Sequence, residues 1–237
     1  MPLQTVAPQR LYQQIADQLH TLITAGEFTA GSRLPAERDL AKQLGVSRPS
    51  VREALIALEV EGWVEVRTGS GVYVQDRSTT AARGNPITVN EWGPLELIRA
   101  RRVLEGEIAS LAATMAKRKD IAAMRLALAD MVRDADAGTL PIEGDRAFHS
   151  AIVQSTGNTV LIETIHGFWD SRRGPLFERL GGYFETVASW RSAIAEHTAI
   201  LDAIVAHDAP GARAAMHAHM DKSHTRFSAS WRRAKAS

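Results

Sequence analysis

Four side chains of this 237-residue chain have the types and spacing to hold a metal ion together. Asp145 and His149 stand four residues apart, so a helix would carry both on one face, about 6 Å from each other. That pair alone says little, because Asp and His at this spacing are common on solvated faces. Two further histidines add weight. Trp190, Ile194, His197, Leu201 and Ile204 step by 4, 3, 4 and 3, which puts His197 inside an apolar stripe. Met216, His219 or Met220, Ser223 and Phe227 make a similar stripe that turns His219 inward, and Phe148 and Ile152 flank Asp145 and His149 on their inner face. Buried polar groups need partners. A shared cation is one solution, and a nitrogen/oxygen set suits Zn²⁺ first, with Ni²⁺ or Mn²⁺ as alternatives. Periodicity alone leaves a second solution open, in which each is a separate core histidine satisfied by a backbone carbonyl. His217 lies two residues from His219 and points elsewhere, and His20, His166, His207 and His224 read as surface or structural.

Arginines supply the other candidate chemistry. Leu97, Arg101, Leu104, Ile108, Leu111 and Met115 step by 4, 3, 4, 3 and 4, so Arg101 falls on a buried face. A buried guanidinium needs a carboxylate. Glu105, one turn on, is the internal partner; the functional alternative is an acidic effector held jointly by Arg101 and the metal. Arg172 and Arg173, beside the Gly174-Pro175 break, are further candidates. Near the N-terminus, Arg48 and Arg52 are spaced i, i+4 and read as the outward face of one helix, where arginine can pair bidentately with guanine in a major groove.

Composition bounds what these residues can belong to. With no cysteine, the chain has no disulfides, thiolate metal sites or Cys nucleophile. No apolar run approaches the ~18–20 residues of a membrane span, and MPLQTVAPQR lacks a signal-peptide core, so a cytoplasmic protein is expected. Net charge is +1 from 28 basic and 27 acidic residues. Residues 1–76 carry seven basic and nine acidic side chains, a net of −2. If that segment binds DNA, the position of its cations must do what their number does not.

The elements that position these residues follow from periodicity. Leu11, Ile15, Leu19 and Leu22-Ile23 mark a helix closed by Gly26. A short helix after Pro35 has Leu40 and Leu44 inside and ends at Gly45. Ser47 caps a third helix from Arg48 to about Val60, with Val51, Leu55 and Leu58 inward and Arg48 and Arg52 outward. Gly62 stops it. Trp63, Val64 and Val66 form a strand, residues 67–71 a turn, and residues 72–74 a second strand. Three helices and a glycine-tipped hairpin describe a winged helix-turn-helix. Residues 75–92 read as a linker. Beyond them six helical stretches follow with no strand pattern, giving an all-helical bundle. The fold class is mainly α, in three parts: a DNA-binding head over residues 1–74, the linker over 75–92 and the helical domain over 93–237.

At this point the residues resemble a known family. Leu34-Pro-Ala-Glu-Arg-Asp-Leu-Ala, Leu44-Gly-Val-Ser-Arg-Pro-Ser-Val-Arg-Glu-Ala-Leu, Leu58-Glu-Val-Glu-Gly-Trp-Val-Glu-Val-Arg and Gly69-Ser-Gly-Val resemble the GntR family of bacterial repressors. The whole chain is similar to the FadR subgroup, in which such a head joins an all-helical FCD domain. The resemblance implies operator contacts from Arg38, Arg48 and Arg52, support from Ser47 and Ser50, and a wing-tip contact at Gly69. It implies a metal site at Asp145, His149, His197 and His219. Gly93-Pro-Leu-Glu-Leu-Ile-Arg-Ala-Arg and Gly144-Asp-Arg-Ala-Phe-His, among other stretches, look similar to hexuronate-utilisation repressors. The expectation is a homodimeric repressor on a palindromic operator in double-stranded DNA, controlled by a small sugar acid. Lactate, gluconate or another organic acid is the alternative effector. A metal-dependent hydrolase is a distant third reading, since no extra general base stands beside the proposed ligands.

Overall fold

The structure, a computed structural model, describes residues 9–76 and 91–229. Of the stretch expected as a linker, residues 77–90 lie outside the described residues. The chain forms two compact units. One comprises the residues up to Leu95 together with Gly174–Leu180, and the other Glu96–Arg173 with the residues from Gly181 onward.

In the first unit, α1 (Leu11–Thr24) packs on α3 (Arg48–Val60), with α2 (Glu37–Leu44) alongside. α1 buries Tyr12, Ile15, Ala16 and Leu19. This corrects the expected stripe: Leu11 and Leu22 are exposed. Tyr12 takes the inward place because its hydroxyl donates to the Glu91 carbonyl at 2.8 Å, leaving no buried polar orphan. α2 ends on Gly45 in the left-handed conformation (φ +66°), where a Cβ would be strained. α3 starts as expected, with the Ser47 hydroxyl accepting from Ser50 N at 3.3 Å and Pro49 in the first turn. From Ser50 to Leu58 every residue of α3 is buried, Glu53 included, whose carboxylate accepts from Leu95 N at 2.6 Å. The helix is therefore enclosed around its circumference through its middle turns and opens to solvent at its N-terminal turn and, partly, at Glu59 and Val60. β1 (Val64–Arg67) and β2 (Gly71–Val74) pair antiparallel, with Val64 opposite Val74 and Val66 opposite Val72, all four buried on the inner face.

The second unit holds α4 (Pro94–Met115) from Glu96 onward, α5 (Arg118–Asp136), α6 (Ile142–Gln154), α7 (Thr159–Ser171), α9 (Val187–Val205) and α10 (Ala209–Phe227). Its core gathers Met124 and Met131 of α5, Phe148 and Ile152 of α6, Trp169 of α7, Trp190, Ile200 and Ile204 of α9, and Met216 and Met220 of α10. On α4 the buried face runs through Arg101, Glu105, Ile108, Ala109 and Ala112, while Leu111 and Met115, expected inside, are exposed. α8 (Pro175–Phe184) was not among the expected helices; Pro175 opens it, at a position that needs no N–H. At Gly144 a Cβ would stand 2.7 Å from Met131 Cγ and 3.2 Å from Met131 N, so glycine permits the close approach of α6 to α5. The next residue on α6 is Asp145.

Candidate functional site

The helical unit brings Asp145, His149, His197 and His219 together. All four are buried, and one potential ligand atom from each lies within 4.8 Å of the others. α6 supplies Asp145 and His149, α9 supplies His197 and α10 supplies His219. The His149 and His197 Nε2 atoms are 3.2 Å apart, and Asp145 Oδ1 lies 3.0 Å from His197 Nε2 and 3.4 Å from His149 Nε2. Despite these short distances Asp145 Oδ1 receives no aligned hydrogen bond. These groups converge on one small region, where His149 and His197 are also in hydrogen-bond contact with each other.

Each imidazole is fixed from behind. His149 Nδ1 contacts Glu105 Oε2, His197 Nδ1 lies 2.7 Å from the Ala193 carbonyl, and His219 Nδ1 lies 2.8 Å from Glu196 Oε2. With Nδ1 committed to an outer acceptor, each ring is left with Nε2 for the centre, the arrangement that orients metal-ligating histidines. The separations among Asp145, His149 and His197 match the roughly 2.9–3.4 Å between neighbouring ligands that stand 2.0–2.1 Å from a common ion, while the four-residue set spreads to 4.8 Å. The electrostatics agree. Burial would raise the Asp145 carboxyl, but the adjacent His149 and His197 outweigh it and hold it well below the usual range. Burial would lower His149, yet Glu105 and Asp145 raise it, so the position attracts positive charge. Burial and the neighbouring His197 push His219 down to about 3, which keeps that ring neutral, as a ligand must be.

A cavity of about 30 Å³ adjoins the cluster, its walls including Arg101, Asp145, Arg172, Phe184, His219 and Phe227. Arg101 is 4% exposed. Its Nε donates to Glu105 Oε1 at 2.5 Å, the internal partner expected from the sequence, while its Nη2 is buried with no hydrogen-bond partner among the described residues. Glu105 thus holds an arginine with one oxygen and a histidine of the cluster with the other. Burial opposes its ionisation, but Arg101 and His149 bring it down to about 2. The two neighbouring candidates separate. Arg172 donates to Asp145 Oδ2 at 2.8 Å and to Glu185 at 3.2 Å, whereas Arg173 is exposed, 3.8 Å from Glu143. The Trp169 ring lies 4.5 Å from the guanidinium carbons of both Arg101 and Arg172. The backing role of Glu105 toward His149, and that of Glu196, were not read from the sequence. Glu196 is next to His197 in sequence, so only the α9–α10 packing discloses that it serves His219 instead.

In the head, Arg38, Ser47, Arg48 and Gly69 are exposed, as a DNA-facing role requires. Arg52 departs from expectation: it faces inward, 1% exposed, with Nε and Nη2 donating to the two Glu37 carboxylate oxygens at 2.8 Å each. The physical reason is the enclosure of α3, whose second turn has no open face, and Glu37 on α2 supplies the matching fork. Arg48, one turn earlier, keeps its side chain 55% exposed at 3.6 Å from the same Glu37. Ser50 is buried as well, its hydroxyl 2.8 Å from that of Ser47.

Comparison with known proteins places these sites in context. Residues 11–74 match the bacterial regulatory proteins of the gntR family, and residues 96–222 match the FCD domain. The Uxu operon transcriptional regulator of Escherichia coli (strain K12) is 38% identical over 218 residues, covering 90% of this chain and 85% of that protein. The Exu regulon transcriptional regulator of the same strain is 37% identical over 225 residues, covering 92% and 85%. Among solved structures, E. coli McbR/YncC aligns with a TM-score of 0.52 at 25% identity, covering 93% of this chain and 98% of that one. No helix among the described residues is long and apolar enough to cross a membrane.

Proposed function

The chain belongs to the GntR family of bacterial regulatory proteins, with an FCD domain behind its DNA-binding head, and from that premise we propose that it is a repressor whose grip on a palindromic operator is set by a sugar acid bound at a metal centre. Its relatives are transcription regulators and not enzymes, which sets the hydrolase reading aside. Asp145, His149, His197 and His219 hold a divalent ion, zinc first and nickel or manganese as alternatives. When bound, that ion supplies a Lewis-acidic position for a carboxylate. Arg101 adds a second hold through its open Nη2, aimed by Glu105 and Trp169. The effector class is a hexuronate such as galacturonate, glucuronate or fructuronate. The similarity to hexuronate-utilisation repressors supports this, and so do relatives that regulate the Uxu operon and Exu regulon.

One observation carries the reading: three imidazoles, each anchored through Nδ1, and an orphaned Asp145 oxygen converge beside an arginine with an unused buried donor. The cavity, at about 30 Å³, is smaller than a sugar acid. Seating one must part walls such as Phe184 on α8 and Phe227 on α10, whose rings lie 6.5 Å apart. That displacement gives the effector a different affinity for two states of the domain, and only such a difference can alter DNA binding. On the head, Arg38, Ser47, Arg48 and Gly69 meet the operator. Ser50 and Arg52 act from behind, Ser50 through Ser47 and Arg52 through Glu37. Two heads of a homodimer read the two half-sites.

The test is elemental analysis of tag-free protein together with thermal melts against hexuronates, gluconate and lactate, with and without a chelator. One equivalent of metal, and a melting point raised by a hexuronate only when metal is present, is the expected result. Protein without metal, or a shift indifferent to chelation, overturns the metal-centre reading.

A further inference from the structure

The wing carries a cation that no described carboxylate neutralises. Residues 31–34 add a short rung to the hairpin. Gly31 N donates to the Val74 carbonyl, Leu34 N to the Val72 carbonyl and Val74 N to the Ser32 carbonyl, each at 2.9 Å, and Arg33 bridges to Tyr73. Alternation then places Leu34 inside with Val72 and Val74, and Arg33 on the open face with Tyr73. Its backbone is fixed by the ladder on both sides.

Its side chain has a prepared path. A Cβ at Gly71 would stand 2.5 Å from Arg33 Nε and 3.1 Å from its Cζ, so the guanidinium lies across the place where a side chain is missing. Gly71 also has φ +132°, so the backbone there requires glycine as well. Tyr73 does not compete, since its ring is engaged by Arg67 at 4.5 Å and its hydroxyl sits 2.7 Å from Ser70 Oγ. Four other arginines of the head each have a carboxylate beside them. Arg38 lies 3.3 Å from Asp39, Arg48 and Arg52 lie 3.6 and 2.8 Å from Glu37, and Arg67 lies 2.9 Å from Glu65. Arg33 is exposed, with no carboxylate within 4.0 Å among the described residues.

We propose that Arg33 is a DNA-phosphate ligand, held across Gly71 so that its fork engages the duplex backbone beside the wing tip formed by Gly69 and Ser70. A strand-borne arginine laid along the flank of a wing offers a planar pair of donors suited to a phosphate. Preorganisation lowers the entropy lost on binding. A single phosphate contact also matters more here than in a basic head, because residues 1–76 carry a net charge of −2 and offer few other cations to the backbone.

The test is a salt titration by fluorescence anisotropy with the full-length protein. It uses a duplex selected from a random pool by the wild type and an unrelated duplex of equal length. For Arg33→Gln the slope of log K against log salt should become shallower by about 0.9 for each engaged head, so that between 50 and 200 mM salt the variant loses about 3.5-fold less affinity per head. The preference for the selected duplex should be unchanged, since phosphate contacts carry no sequence information. Arg33→Lys should keep the slope, because the charge on the strand is retained. An unchanged slope overturns the proposal, as does a relaxed base preference, which would make Arg33 a base reader. A fall in melting point that tracks the loss of binding assigns Arg33 to folding and overturns it too.

Discussion

Replacing Arg52 separates two roles that the sequence alone could not distinguish. If the guanidinium reads DNA, Arg52→Ala abolishes operator binding and leaves the head as stable as before. The structure requires the opposite order of effects. Arg52 is 1% exposed and forked onto Glu37, itself 9% exposed, through two hydrogen bonds of 2.8 Å. Truncating it strands a carboxylate in the head with Arg48, 3.6 Å away and largely solvated, as its remaining counter-charge. Breaking a buried pair from one side costs about 3–5 kcal/mol. For a unit of 60–100 residues each kcal/mol moves the midpoint by about 4–8 °C, so the head's transition should fall by at least ~12 °C. Calorimetry on the full-length protein resolves this, because the helical unit supplies an internal reference transition. Removing both charges together, as Glu37→Leu with Arg52→Met, should recover most of the lost stability, since an apolar pair of similar volume has no charge to desolvate. A gel shift at 10 °C completes the experiment. If Arg52→Ala melts as the wild type does but no longer binds its operator, the inward placement of Arg52 is wrong, and with it the enclosure of α3.

Arg48→Ala should do the reverse, leaving the melting point unchanged while weakening binding to the preferred duplex by about 5- to 150-fold, the worth of one bidentate base contact; equal affinity in a gel shift refutes that role. Glu105→Gln should lower metal affinity by about 10- to 100-fold in a chelator competition, because it alters the hydrogen bond that orients His149; undiminished affinity removes Glu105 from the centre. His197→Ala should lose bound metal and the effector-induced rise in melting point together, and retention of either separates the two. Gly144→Ala should destabilise the helical unit by about 1–3 kcal/mol through overpacking against Met131, and a neutral melt would show that α5 and α6 can part without cost.

Legibility followed the range of the interaction. Short-range chemistry could be read directly: the Ser47 cap, the left-handed Gly45, the hairpin and the four-residue step from Arg101 to Glu105 all lie within one turn or one loop. The inward placement of His197 and His219 was also legible, because each interrupts an apolar stripe. What failed was the inference from one helix face to exposure. Arg52 occupies the face of α3 that also bears Arg48, and nothing local to α3 shows that Glu37 and its surroundings close over the second turn but not the first. Leu11, Leu111 and Met115 failed for the same reason in the opposite sense, since a helix has one buried stripe only when one neighbour covers it. α8 escaped notice although its apolar residues are well segregated, because Gly174-Pro175 reads as a break and Gly181-Gly182 interrupts its ten residues.

The same distinction explains why the centre has to be built from both near and distant parts of the chain. Asp145 and His149 come as a rigid pair on α6, but their partners arrive from α9 and α10, and the groups that fix the rings come from α4 and α9. Six side chains on four helices must therefore register before three Nε2 atoms and a carboxylate oxygen can face one another. Such a site carries more buried polar groups than its own hydrogen bonds use, since Asp145 Oδ1 has no aligned hydrogen bond among the described residues. On the proposed function, a metal held by Asp145, His149, His197 and His219 would also brace α6, α9 and α10 against one another, and an acid bound to it would act on three helices at once.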